Sequence, residues 1–215
     1  LPYKDNSTMR ESIEQSNVIY DNINNLYLLS HGDVCGFNNK EYIFENSYFP
    51  FFKNDVTRFK FKKVILGHLH IFKEFNNIVY PGSTYPLDIT ETGPRHYILL
   101  DTVSGEITNH IINFGLIFEL LEIFITPVDD EEKQIETQID NFFNNIKTNY
   151  YLINLNQITM RIKLNGWTVK GRNFVQDYVL QTIKKYPVTL DDKIDNANLL
   201  VTQPDDILID VFKNA

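Results

Sequence analysis

With 215 residues, 43% hydrophobic and 13% aromatic, the chain has enough apolar material for one large core or two small ones, which excludes a disordered or low-complexity segment. A formal net charge of -8 opposes bulk electrostatic capture of a polyanion, so any contact with nucleic acid has to be local. The single cysteine rules out an internal disulfide and fits a reducing cytoplasm. The longest apolar runs, such as 116–125 with Glu119 and Glu122 inside it, fall short of the roughly 20 residues a bilayer demands. Leu1 opens without a basic, apolar, small-residue export pattern, so the expectation is a cytoplasmic protein without a membrane partner.

In chain order, residues 26–30 form an apolar run ending at His31-Gly32-Asp33, and Val64-Ile65-Leu66 form another ending at Gly67-His68-Leu69-His70. Both read as buried strands opening into loops. Between them Arg58, Lys60, Lys62 and Lys63 interleave with Phe59 and Phe61, a candidate for local nucleic-acid contact whose plainer reading is a strand with one solvated face. Residues 78–80 stop at the turn signal Pro81-Gly82-Ser83. Residues 96–102 and 106–114 predict a hairpin across Val103-Ser104-Gly105, so the first 115 or so residues are strand-rich.

The pattern then changes. Residues 120–126 predict a strand broken by Pro127, and 129–147 an amphipathic helix with Ile135, Ile139, Phe142, Phe143 and Ile146 on one side and an acidic first turn. Residues 158–164 alternate as a strand, 173–185 predict a second helix closed by Tyr186-Pro187, and 199–202 and 207–211 predict short strands. A boundary near residue 117 divides the chain, with a smaller α+β unit after it.

The chemistry concentrates in the histidines. In an extended backbone His68 and His70 project to one face while Leu69 turns to the other. Gly67 gives the strand end room to turn where a side chain would crowd a metal cluster, and His31 closes a second strand of the same layout. Neutral imidazole is a good ligand for manganese, iron or zinc. Against this stands the plainer reading of a His-x-His pair as a solvated or hydrogen-bonded strand end. Cys35 reads as a small buried hydrophobe, Asp33 as a loop cap rather than a ligand, Asp88 and Glu91 as fixing the loop after the Gly-Ser turn, and His96 and His110 as sheet residues. Trp167 reads as a core anchor of the second unit, with DNA stacking as the alternative. The absence of a phosphate-cradling glycine loop excludes P-loop nucleotide hydrolysis.

The succession strand-His31-Gly32, Leu66-Gly67-His68-Leu69-His70, Tyr80-Pro81-Gly82-Ser83, Pro86-Leu87-Asp88 and Glu91 resembles the calcineurin-like metallophosphoesterases, and its last members resemble the DNA-repair branch of SbcD-like exonuclease subunits. Leu1-Pro2-Tyr3 looks like the strand that follows the early metal motifs there. The resemblance implies an α+β architecture, an incomplete four-layer α/β/β/α sandwich over residues 1–116 carrying the C-terminal part of the phosphoesterase domain. Residues 117–215 are similar in order of elements to the family's capping domain. It further implies that His31, His68 and His70 bind two divalent ions, manganese foremost, and that a metal-bridged hydroxide hydrolyses phosphodiesters. The implied partners are DNA, an SbcC-like coiled-coil ATPase, an N-terminal half of the phosphoesterase domain and a second copy in a homodimer. The family's early Asp-x-His motif, and the Gly-Asp and Gly-Asn-His-Asp motifs that follow it, do not precede His31 in this sequence, and three neutral histidines leave two divalent cations uncompensated. The expectation is that the isolated chain, as a truncated or split form, binds metal weakly and hydrolyses little, and no catalytic residue is assigned on it. Two alternatives remain: a small-molecule phosphodiesterase or phosphatase of the same superfamily, and a non-catalytic interaction module that has lost the chemistry.

Overall fold

The computed structural model describes residues 7–16, 25–35, 47–127, 130–191 and 194–203. The expected strands at residues 1–3 and 207–211 fall outside them. The architecture is α+β, with four helices and several sheets among the described residues. The chain divides into two compact units, Leu1–Tyr85 with Arg95–Ile112, and Pro86–Pro94 with Asn113–Ala215. The cut falls slightly before residue 117. Residues 86–94 join the second unit because Thr92 bridges to Phe118 and the Gly93 N–H donates to the Phe118 carbonyl at 2.9 Å.

The first unit opens with a helix that the hydrophobic reading missed, α1 (Met9–Gln15). Thr8 and Glu11 form a reciprocal capping box, a signal that was present in the sequence as Thr-x-x-Glu. Its buried Met9 and Ile13 lie one turn apart on the core side. Strand β1 (Leu26–His31) precedes the short β2 (Val34–Cys35) and β3 (Phe51–Phe52), which pair with each other in parallel. Helix α2 (Asp55–Arg58) is clamped to α1 by the fully buried Asp55, whose carboxylate accepts from Arg10 Nε at 2.9 and 3.2 Å. Burial of a carboxylate is tolerated here because the guanidinium meets both oxygens.

Strand β4 (Phe61–Gly67) lies parallel between β1 and β6 (Ile78–Tyr80), and β5 (Lys73–Phe75) closes the sheet antiparallel to β6. The basic-aromatic stretch resolves into two roles. Phe59 and Phe61 are buried, Lys62 Nζ donates to Asn25 Oδ1 and the Val103 carbonyl, and Lys63 Nζ donates to Glu74 and the Asn76 carbonyl. The hairpin of β7 (His96–Leu100) and β8 (Ile107–Ile111) pairs His96 with Ile111 and Leu100 with Ile107, so its connection is wider than the three residues the sequence marked. His96 Nδ1 meets Asn109 Oδ1 at 3.0 Å, and the His110 ring stacks on Tyr97.

The second unit is built from long, regular elements: β9 (Ile117–Ile125), α3 (Glu131–Asn149), β10 (Ile158–Thr168), α4 (Arg172–Ile183), β11 (Thr189–Leu190) and β12 (Asp195–Val201). The three strands that pair with β10 do so in parallel, and α3 carries the chain back from β9 to β10 and α4 from β10 to β11. That geometry explains the pattern. Even-numbered residues of β10 are buried beneath the helices, with Ile135, Ile139, Phe143 and Ile146 of α3 and Val175, Val179 and Ile183 of α4. The first element is longer than expected because Glu119 and Glu122 sit within β9 without ending it. Strand β10 runs past residue 164 because Gly166, at φ +102, lets the Ile125 carbonyl approach; a Cβ there would lie 2.1 Å from that oxygen. Trp167 has odd parity on this strand and is half-buried on the opposite face, so the core-anchor reading is corrected: Gly166 and Thr168 take the inward positions. Among the described residues, no helix is long and apolar enough to cross a membrane.

Candidate functional site

The site forms at the C-terminal ends of β1 and β4. Parallel pairing sets His31 opposite Gly67, so the chain leaves both strands at the same level, where parallel α/β sheets commonly place ligands. The His31 and His68 rings meet edge to face with centroids 5.5 Å apart. Gly67 is what permits this: a Cβ at residue 67 would lie 2.5 Å from His31 Nδ1. The glycine therefore makes room for an imidazole, a more specific role than letting the strand turn. Gly32 is equally constrained, since a Cβ there would meet the Phe49 carbonyl at 2.3 Å and the Tyr48 carbonyl at 2.8 Å.

The expectation that His68 and His70 share a face through extended backbone is corrected. Strand β4 ends at Gly67, and His68 has φ +112, a region that costs a non-glycine residue on the order of 1–3 kcal/mol. Strand alternation therefore does not extend to His70. Leu69 packs against the apolar cluster of Leu28, Val64 and Leu66, and the His70 side chain is exposed. The His70 carbonyl accepts the Ser83 N–H at 3.1 Å and Arg95 Nη1 at 3.1 Å, and Arg95 also reaches Ser83 Oγ at 3.3 Å. The Pro-Gly-Ser turn thus anchors the His70 loop. Gly82, at φ +83, packs its α-carbon against the backbone of residues 70–72.

Three further residues shape the site. The Tyr80 side chain is 1% exposed; its hydroxyl donates to the Gly32 carbonyl at 2.9 Å and accepts the Val34 N–H at 2.8 Å. Burial pushes that hydroxyl's pKa to about 12. Asp33, between those two anchors, accepts the Tyr48 N–H on Oδ2 at 2.8 Å and turns Oδ1 to His68 Nε2 at 3.4 Å. Tyr48 lies parallel to the His68 ring at 5.1 Å and edge-on to His31 at 5.5 Å. Its neighbour Phe49, buried at φ +42, is held in a conformation few non-glycine residues adopt. Tyr80 and Arg95 were not singled out from sequence. Tyr80 was legible as the last residue of a strand and the first of the Tyr80-Pro81-Gly82-Ser83 stretch, without a role of its own, and Arg95 as a charge next to Pro94.

The remaining marked residues have local roles. Cys35 is buried beside Ser47 Oγ at 3.2 Å, and burial raises its thiol pKa. Asp88 accepts from Thr90, and Glu91 accepts the Leu87 N–H at 3.1 Å, so both carboxylates serve their own loop.

No family model matches the chain. The chain is similar to a curated bacterial protein, the uncharacterized metallophosphoesterase YhaO of Bacillus subtilis strain 168. The two are 23% identical over 176 residues, 73% of this chain and 42% of that protein. The chain therefore spans less than half the length of that relative. The similarity supports the metallophosphoesterase superfamily, a name that implies a role for divalent metal ions in such proteins.

The chemistry of the donors tests that role. His31 and His68 present two imidazoles side by side, a donor type suited to manganese, iron or zinc, with one carboxylate, Asp33, against the second. Among the described residues no group of three or more His, Cys, Asp or Glu is arranged to hold a metal ion. The described residues thus fit one flank of a metal site and lack the bridging carboxylate that two divalent cations need.

Proposed function

We propose that this chain is part of an SbcD-like, metal-dependent exonuclease that hydrolyses DNA phosphodiesters, acting in the cytoplasm in DNA repair. The observation that carries the proposal is the His31–His68 pair at adjacent strand ends, 5.5 Å between ring centroids, in a chain similar to a metallophosphoesterase. On this reading His31, His68 and His70 contribute to holding two ions, manganese foremost, and an N-terminal part of the phosphoesterase domain supplies the carboxylates. The second unit, residues 117–215 in the sequence reading, acts as a capping domain that helps place DNA. A coiled-coil ATPase of the SbcC kind and a second copy of the chain complete the assembly. A bound pair of divalent ions would supply charge neutralisation at the scissile phosphate and a hydroxide at neutral pH. The residues here would orient it: Gly67 seats His31, Asp33 and Tyr48 hold His68, and Ser83 with Arg95 hold the His70 loop.

The test is reconstitution. The chain supplied with an N-terminal phosphoesterase segment is expected to degrade linear DNA in manganese, and His68→Ala to lower that rate at least about 100-fold. A reconstituted pair that leaves DNA intact, with His68→Ala changing nothing, defeats the proposal. One observation favours a second reading, a small-molecule phosphodiesterase: the net charge of -8 repels a polyanion. Turnover of a chromogenic phosphodiester without attack on DNA would select it.

A further inference from the structure

We propose that the outer edge of β9 is a docking site for an extended basic peptide, which adds to the sheet as a short strand alongside Leu120, Leu121 and Glu122. In a strand the N–H and C=O of one residue point to one side and those of the next to the other. The even-numbered residues of β9 turn theirs away from β10, as the partners of Phe118 and Phe124 show. At one end the Gly93 N–H donates to the Phe118 carbonyl at 2.9 Å. At the other a single carboxamide takes both groups of Phe124 as a strand residue would: Gln138 Oε1 accepts the N–H at 3.0 Å, and Gln138 Nε2 donates to the carbonyl at 2.9 Å. Gln134 Oε1 accepts the next outward N–H, that of Thr126, at 2.8 Å. Between these ends the outward backbone groups of Leu120 and Glu122 meet no partner among the described residues. Strand edges invite pairing and are usually covered or charged; this one is covered at both ends and open in the middle.

A shallow groove of about 400 Å³ runs along the open stretch, bordered by Leu120 and Glu122 on the strand and by Gln138, Asn141, Phe142 and Asn145 of α3. Outward N–H and C=O groups in alternation are matched by another extended backbone, the mode in which sheet edges capture peptides. The side chains of β9 set what such a strand should carry. Its odd-numbered side chains are buried on the α3 side, and Leu120 and Glu122 project from the other. Alternate side chains of an added strand divide in the same way, so one falls on the side of Phe142 and its two neighbours on the side of Glu122. The first position is apolar. The second is acidic: the Glu122 side chain is 56% exposed, with Lys163 Nζ at 3.7 Å, a surface pair worth little. The net charge of -8 draws in a cationic segment by the same field that opposes a polyanion. The fitting sequence is therefore an apolar residue between two basic ones, and Gly93 and Gln138 limit the pairing to about five residues at roughly 3.3 Å each.

The experiment adds the peptide acetyl-Thr-Lys-Val-Lys-Thr-amide to the full 215-residue chain labelled with 15N, at up to about 5 mM because a few backbone bonds give weak affinity. The amide signals of Leu120 and Glu122 are expected to shift and their exchange with solvent to slow about tenfold, while the signals of β11 stay in place. The same peptide N-methylated at its three central residues keeps its charge and loses its backbone donors, and is expected to bind at least about tenfold more weakly. Glu122→Gln is expected to weaken the unmethylated peptide about threefold. Unmoved signals at Leu120 and Glu122 overturn the proposal, as does equal binding of the methylated peptide or of an acidic Thr-Glu-Val-Glu-Thr peptide. Signals at Leu120 and Glu122 that move with chain concentration before peptide is added mean that a second copy occupies the edge, which defeats it too. Should Glu122→Gln fail to fold, the three peptides on the wild-type chain decide. This readout needs neither metal nor DNA, so its failure leaves the exonuclease reading standing, and an inactive reconstituted enzyme leaves the peptide result standing.

Discussion

The two units of this chain keep their shape in different ways. The second relies on repetition: β10 alternates over its whole length between a face buried under two helices and a face turned the other way. The first relies on short strands joined by residues in unusual conformations. All four non-glycine residues with positive φ among the described residues, Phe49, Lys60, His68 and Asn76, lie in it. The contrast teaches where chemistry is affordable. Regular parallel packing needs few exceptional positions, Gly166 beside the Ile125 carbonyl being one, whereas a pair of imidazoles at strand ends needs glycines with carbonyls and rings against them, a buried tyrosine, and a strained histidine.

Phe143 offers the harshest test of the repetitive unit. It is fully buried, and its ring stacks on Tyr186 at 3.7 Å. Phe143→Ala is expected to lower the unfolding free energy by about 3–5 kcal/mol in a denaturant titration, through lost burial plus the cavity left behind. A loss below about 1 kcal/mol would show that this core relaxes freely and that the contrast between the units is overdrawn.

Tyr80 tests the clamped unit. Tyr80→Phe leaves the Gly32 carbonyl and the Val34 N–H without their shared partner and is expected to cost about 2 kcal/mol. The same residue has a pH signature. Its folded pKa, about 12 against the ordinary 10, means that the folded state favours the neutral phenol. Its contribution is complete below pH 10 and declines as pH rises from about 10 to 12. Tyr150 and Tyr186 also reach about 12 and add to the same base-side loss. The fraction belonging to Tyr80 should disappear from the stability–pH curve of Tyr80→Phe, and an unchanged curve would contradict the clamp.

Gly67→Ala has the smallest effect on stability and the sharpest on the site. The new Cβ meets a side-chain ring that can rotate away, not backbone, so the stability cost is expected to be about 1 kcal/mol. The His31 ring signals should shift strongly while those of His96 and His110 stay in place. If the His31 signals are unmoved, the ring does not rest on Gly67.

Much of this was readable along the chain, and unevenly. The strands at 26–30, 64–66 and 78–80, the two long helices and the first part of β10, 158–164, declared themselves by apolar runs or by period, because each buries one face or both against a neighbour. The elements that escaped notice are short: α2, β2, β3, β5 and β11, where a few residues carry too little pattern to read. Helix α1 is signalled by its capping box alone, since seven residues with only Met9 and Ile13 buried carry too little hydrophobic period. At the site, the histidines and Gly67 stood out by type and spacing. Tyr80, Arg95 and Tyr48 did not, because each acts on a residue distant in sequence through a single hydrogen bond or ring face.

Taken alone, the order of residues marked the longer strands and helices and the side chains whose donor type suits a metal, since burial periodicity and donor chemistry are local properties. Tertiary structure decided the rest. It set His31 against Gly67 through parallel register, bent the chain at His68 so that alternation stopped there, and turned Asp33 toward Nε2, because such contacts are made by backbone conformation and by residues that meet only when the chain has folded.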